Sequence, residues 1–208
     1  MFSPAELKAL SHQQNLPFFA TVSEPGIRAD YIYDKPVVAL ASKFPIVSLE
    51  TVKVTPHVLN DLKLQPDFKF SRPPLRAELE IDGIGRVLVY VVHLKSQRSR
   101  LESALNEHED TLVDISASLL AQVHGRFAST IQRGVEAALI YQDMVTEMRK
   151  KQRPVMLLGD LNDALESHAV EPLLGGAYMD KLDNKYISNL SNKQQRAVQR
   201  FSMYDAFS

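Results

Sequence analysis

The chain has 208 residues, 45% of them hydrophobic and 24% charged, the make-up of an ordinary globular protein long enough for one large domain. It has no cysteine, which excludes a disulfide framework and any cysteine-ligated zinc. Its 24 lysines and arginines nearly balance 25 aspartates and glutamates. That balance argues against a general coat of positive charge for nucleic acid while leaving room for a local basic patch.

Ser3, Pro4 and Glu6 form a capping-box start for a first helix, which should stop before Pro17. Phe18 to Val22 reads as a strand, and 24–34, with Pro25 and Gly26, as a polar loop. Val37 to Ser42 and Ile46 to Val54 follow as two further strands. Thr55 to Pro74, interrupted by prolines, is expected to be a long surface loop. Leu75 to Ile81 alternates strictly, with Leu75, Ala77, Leu79 and Ile81 inward and Arg76, Glu78 and Glu80 outward. Asp82 and Gly83 then turn the chain into a return strand, Arg86 to His93, so the two strands must be antiparallel.

Residues 95–110 are almost wholly polar. From Asp110 the period becomes helical, through Leu112, Ile115, Leu119, Val123 and Phe127. Breaks are expected near Gly125 and Gly134, and a second helix over 135–150 with Ala138, Tyr141, Val145 and Met148 on its inner face. Val155 to Leu158 is a short apolar run, the pattern of a strand buried on both faces. Beyond it come a short helix over 166–174, ended by Gly175 and Gly176, and a polar stretch over 180–200 with room for one more. No apolar run approaches a membrane span, and the chain's first residues lack a signal peptide's basic and apolar regions, so a cytoplasmic location is expected. Hairpins mixed with helices predict one α/β domain over 1–208, of the α+β type.

Chemistry concentrates where strands end. Asp160 and Asn162 follow Gly159 at the exit of the apolar run. Extended geometry carried through to Asn162 would put both on one side, a carboxylate beside an amide. Such a pair suits phosphate or metal chemistry, and equally suits a turn cap followed by a helix cap. His93 ends the other strand, and Lys95, Arg98 and Arg100 follow it as an anion-binding lip or a solvated loop. Arg72, before Pro73 and Pro74, is a second candidate anchor. There is no Gly-rich phosphate loop, no His-Glu-x-x-His and no Gly-x-Ser-x-Gly elbow.

Four blocks in order carry a resemblance: Val37 to Ile46, Arg72 to Leu79, Val91 to Ser96, and Pro154 to Asn162. Together they resemble the endonuclease/exonuclease/phosphatase superfamily, the fold of pancreatic-type deoxyribonucleases, over roughly residues 15–180. The resemblance implies a four-layered α/β/β/α sandwich of two mixed, largely antiparallel sheets. It implies hydrolysis of phosphoesters with magnesium, or manganese, as cofactor. By the same likeness His93 contacts the scissile phosphate, Asp160 orients the attacking water and Asn162 steadies the transition state. Asp160 and Asn162 contribute to the metal site, and Arg72 and Lys95 touch phosphate.

The chain departs from the family pattern in two places. The family's metal-binding Gln-Glu pair on an early strand has no counterpart before Ser3, and its closing Asp-His pair has none after His168. The expectation is therefore a domain truncated at both ends, impaired in hydrolysis, with exposed sheet edges that favour a homodimer. A non-catalytic binding or scaffold module that keeps the sandwich is the alternative. The substrate, whether nucleic acid, lipid head group or inositol phosphate, is open.

Overall fold

A computed structural model describes residues 4–22, 27–29, 32–33, 37–97, 112–178 and 189–206. The chain forms two compact units. Unit 1 comprises Met1–Leu94 and Leu139–Asp160, and unit 2 comprises Lys95–Ala138 and Leu161–Ser208. The class is α+β, as the mixed pattern of strands and helices predicts.

Unit 1 opens with helix α1 (Pro4–Gln13) and strand β1 (Phe18–Thr21). Two short strands follow, β2 (Ile27–Ala29) and β3 (Ile32–Tyr33), paired antiparallel where only a loop was expected. The β-branched and aromatic residues Ile27, Ile32 and Tyr33 supply the strand preference that Pro25 and Gly26 masked. Strand β4 (Ala39–Ser42) pairs antiparallel with β1. Strand β5 (Ile46–Thr51) begins the main sheet.

The expected long loop contains helix α2 (Pro56–Asp61). Pro56 sits in its first turn, where no N–H is required, and Val58 and Leu59 are buried. A proline taken as a breaker is here a starter. Strands β6 (Leu75–Ile81) and β7 (Gly85–His93) form the predicted hairpin, with Leu75 opposite Val91 and Ile81 opposite Gly85. Gly83 has φ +77°, which a glycine adopts freely. Strand β8 (Val155–Asp160) joins parallel to β7, giving the order β5-β6-β7-β8.

The alternation in β6 sorts two unlike faces. Leu75, Ala77 and Leu79 pack with Val87, Val89 and Leu40 in the core, so the inward set is as predicted. The other face is not the solvated one expected. Glu78 is 6% exposed, and Arg76 bonds Asp143 of helix α3 (Leu112–Lys150) at 2.8 Å. Tyr90 on β7 donates to the same carboxylate at 2.7 Å. Arg76 also pairs with Glu50 and Glu147, and Glu78 with Arg153, Lys151 and Arg86. A charged strand face can thus lie under a helix when each charge finds a partner.

α3 is one helix of 39 residues where two were predicted. Gly125 and Gly134 lower its helix preference by about 1 kcal/mol each relative to alanine, too little to break a helix of this length. In unit 1 its buried side chains are Leu139, Ile140, Met144, Glu147 and Met148, so of the predicted inner face only Met148 is buried. In unit 2 the predicted apolar stripe is helical but exposed, from Ile115 at 43% to Leu112 at 83%.

Unit 2 continues with a 3-10 helix, Glu171–Tyr178, which runs through Gly175 and Gly176 rather than ending before them. Its last helix, α4 (Asn192–Phe201), starts at a capping box of Ser191 and Gln194. Ser3, Arg98 and Arg100 lie outside the described residues. Among the described residues no helix is long and apolar enough to cross a membrane.

Candidate functional site

The parallel register of β7 and β8 places His93 directly beside Asp160. Side chains at matched positions of neighbouring strands leave the sheet on the same face, so imidazole and carboxylate emerge together. His93 Nε2 lies 3.7 Å from Asp160 Oδ2, with the side chains 31% and 62% exposed. That separation is too long for a direct hydrogen bond between the two side chains. The main chain closes the same corner, because the Leu94 N–H donates to the Asp160 carbonyl at 2.9 Å.

Gly159 makes this approach possible. It has φ +131°, and a Cβ built there would overlap the Val92 carbonyl oxygen. The residue opposite Gly159 in the ladder is Val92 itself. Only a residue without a side chain lets β8 run this close to β7 just before Asp160.

Arg72 is spent partly on the same strand end. Its Nη1 donates to the carbonyl oxygens of His93, at 3.4 Å, and Leu94, at 3.2 Å. The guanidinium therefore fixes where β7 stops, and its Nε is buried without a hydrogen-bond partner.

Lys95 and Asn162 belong to unit 2. Lys95 is 9% exposed, and its Nζ donates to the Ser96 carbonyl at 3.2 Å. Asn162 has φ +55°, a left-handed conformation that asparagine tolerates better than most residues. The expectation that extended geometry continues from Asp160 to Asn162 is therefore wrong. β8 ends at Asp160, and the reversed φ two residues later breaks the alternation that would have aligned the two side chains. Gln97 donates to the Asn162 carbonyl at 3.1 Å.

Unit 2 also contains residues that the motif reading passed over. Arg133 of α3 is 3% exposed and donates through Nε and Nη2 to Asp163, at 2.9 and 2.6 Å. Its Nη1 donates to the Lys95 carbonyl at 3.2 Å. Glu136, 1% exposed, accepts the Lys95 N–H at 2.7 Å. The sequence held a signal for this pair: two opposite charges three residues apart at the head of an otherwise apolar helical run, Gly134 to Ile140. Charges in such a run must be paired to be tolerated.

A magnesium ion would find oxygen donors of the right kind here. Among the described residues no group of three or more His, Asp or Glu side chains is gathered to hold a metal ion. Magnesium, however, keeps several waters and is commonly held by one or two carboxylates together with substrate phosphate. The exposed carboxylate of Asp160 fits that role. Neither the models of known protein families nor the curated proteins give a match to this chain.

Proposed function

We propose that the chain is a divalent-metal-dependent phosphoester hydrolase domain whose chemistry centres on His93 and Asp160. The observation that supports this is the pairing of an imidazole and a carboxylate, 3.7 Å apart, at matched ends of parallel neighbours β7 and β8. A partly exposed carboxylate can orient water and accept its proton. A histidine beside it can donate to a phosphoryl oxygen and offset developing negative charge. Arg72, which bonds the carbonyl oxygens at the end of β7, contributes positive charge for phosphate oxygens. Magnesium, held by Asp160, would supply a Lewis acid for the phosphoryl oxygen.

The fold expected to carry this chemistry is the four-layered sandwich of the endonuclease/exonuclease/phosphatase superfamily. The pairing of β1 with β4 and the four-stranded mixed sheet within unit 1 are consistent with it. Substrates are phosphoesters of nucleic acids, inositol phosphates or lipid head groups. Self-association through the outer strands of the main sheet belongs to the same proposal, since β8 exposes Met156 and Leu158.

Hydrolysis of bis-p-nitrophenyl phosphate with and without magnesium tests the reaction, and plasmid DNA, inositol phosphates and sphingomyelin in parallel sort the substrate. In keeping with the expected impairment, weak metal-dependent turnover that disappears in Asp160→Ala and in His93→Ala is the expected result. Turnover unchanged in both variants overturns the assignment. No turnover, with no displacement of His93 imidazole signals by inorganic phosphate, makes the chain a non-catalytic module.

A further inference from the structure

The first half of α3 carries its two faces in reversed order. Leu112, Ile115, Leu119, Val123, Phe127 and Ile131 recur at steps of three and four residues, so they line one stripe, and all six are exposed. Ser118, Gly125 and Ser129, on the other side, are buried. A surface helix ordinarily buries its large apolar residues and shows its polar ones. The stripe runs for about 28 Å along the helix axis.

Together the six residues expose on the order of 700 Å² per chain. The largest apolar patch on an ordinary monomer is roughly 300–600 Å². Each partner of a standard-size interface contributes about 800 Å². The stripe is thus larger than a monomer ordinarily shows and close to one half of a stable pair. Its chemistry suits protein rather than lipid. From Ile115 to Ile131 no residue is acidic, and only His124 and Arg126 can carry charge. A helix that lies on a lipid surface is rich in lysine and arginine on its polar face, which this one is not. Protein interfaces, by contrast, are depleted of charge at their centre.

We propose that this stripe is a homodimer interface, in which α3 of one chain packs antiparallel on α3 of a second copy. A two-fold pair uses the same patch twice, so the patch must complement itself. With the axis at the level of Ala121, Leu119 falls opposite Val123 of the second copy, and Ile115 opposite Phe127. Each level then joins a larger side chain to a smaller one. Arg126 falls at the level of Ser116, whereas a parallel pair would set two Arg126 side chains at one level and oppose like charges. The interface belongs to unit 2, while β8 belongs to unit 1, and it owes nothing to the phosphoester chemistry. Diluted chains part and bare the stripe.

Sedimentation velocity of the full chain between about 1 and 100 μM tests the pairing. The wild type is expected to associate, and Met156→Lys, which charges the exposed edge of β8, to remain dimeric. Leu119→Lys and Val123→Glu, each added singly to Met156→Lys, weaken the dimer at least about tenfold. Mixed in equal amounts, those two proteins dimerise again, because the antiparallel register sets lysine against glutamate. All three positions are exposed, so helix content by circular dichroism stays at the wild-type level. A Met156→Lys protein that is monomeric throughout overturns the interface. So does a dimer whose affinity is kept within about twofold in both stripe variants. A mixture no tighter than either variant alone overturns the antiparallel pairing.

Discussion

Two buried ionic groups fasten α3, one in each unit, and they are built differently. In unit 1, Arg76 and Arg153 meet Glu50, Glu78, Asp143 and Glu147 side chain to side chain around a polar recess of about 70 Å³. Nearly every member has more than one partner. In unit 2, one arginine serves one carboxylate, and its remaining bonds go to carbonyl oxygens. The first arrangement spreads charge over a strand face and the helix above it. The second ties down connecting segments that have no ladder of their own. Redundant side-chain pairing protects stability, whereas a single arginine on main chain controls local geometry.

Variants can break this contrast. The largest loss is expected from Arg76→Met, which takes the shared cation from Glu50, Asp143 and Glu147, leaving Asp143 with Tyr90 and Glu147 with Lys150 and Arg153, and should cost about 3–5 kcal/mol of unfolding free energy in urea denaturation. Asp163→Ala should cost less, about 1–3 kcal/mol, because Arg133 retains two carbonyl acceptors. An equal or greater loss for Asp163→Ala would dissolve the distinction between the two groups.

Tyr90 sharpens the picture through pH. Burial raises the pKa of its phenol above the ordinary value of 10.0, and its hydrogen bond to Asp143 and that residue's charge push it the same way. A raised folded-state pKa means stability that is complete below about 10 and lost as pH climbs beyond it. Thermal melts from pH 8 to 11 should therefore show an alkaline decline that is shallower in Tyr90→Phe. At pH 7 the same variant should lose about 1.5–3 kcal/mol, the range for a hydrogen bond to a charged partner. The smallest effect belongs to the rim. Glu80, 46% exposed and 3.3 Å from Arg86, should tolerate Glu80→Ala within about 0.5 kcal/mol. A larger loss there would extend the network beyond the residues under the helix.

Strict alternation made the β6–β7 hairpin legible, and Asp82 with Gly83 fixed its register. A run of unbroken apolar residues likewise marked β8 as a strand, but not one buried on both faces as expected, since Met156 and Leu158 are 46% and 43% exposed. The same alternation misled about Arg76 and Glu78, because period two tells which residues share a face and not what covers that face. Helix α3 was legible in period but not in extent, since two isolated glycines weigh little against 39 residues of cooperative hydrogen bonding. Asp160 and His93 were found as strand ends, and the parallel register that joins them came from tertiary structure alone. Arg133 and Asp163, 30 positions apart, belong to no short motif.

One half of α3 leaves an unusual outer surface. Leu112, Leu119, Val123 and Phe127 stand well exposed along a helical stretch of about 22 Å. A protein with such a ridge behaves in part as a surfactant. It should adsorb to plastic and to the air–water boundary, be retained by phenyl resin at modest ammonium sulfate, and brighten dyes that fluoresce in apolar surroundings. How the chain is handled in the tube is thus written into that half of the helix.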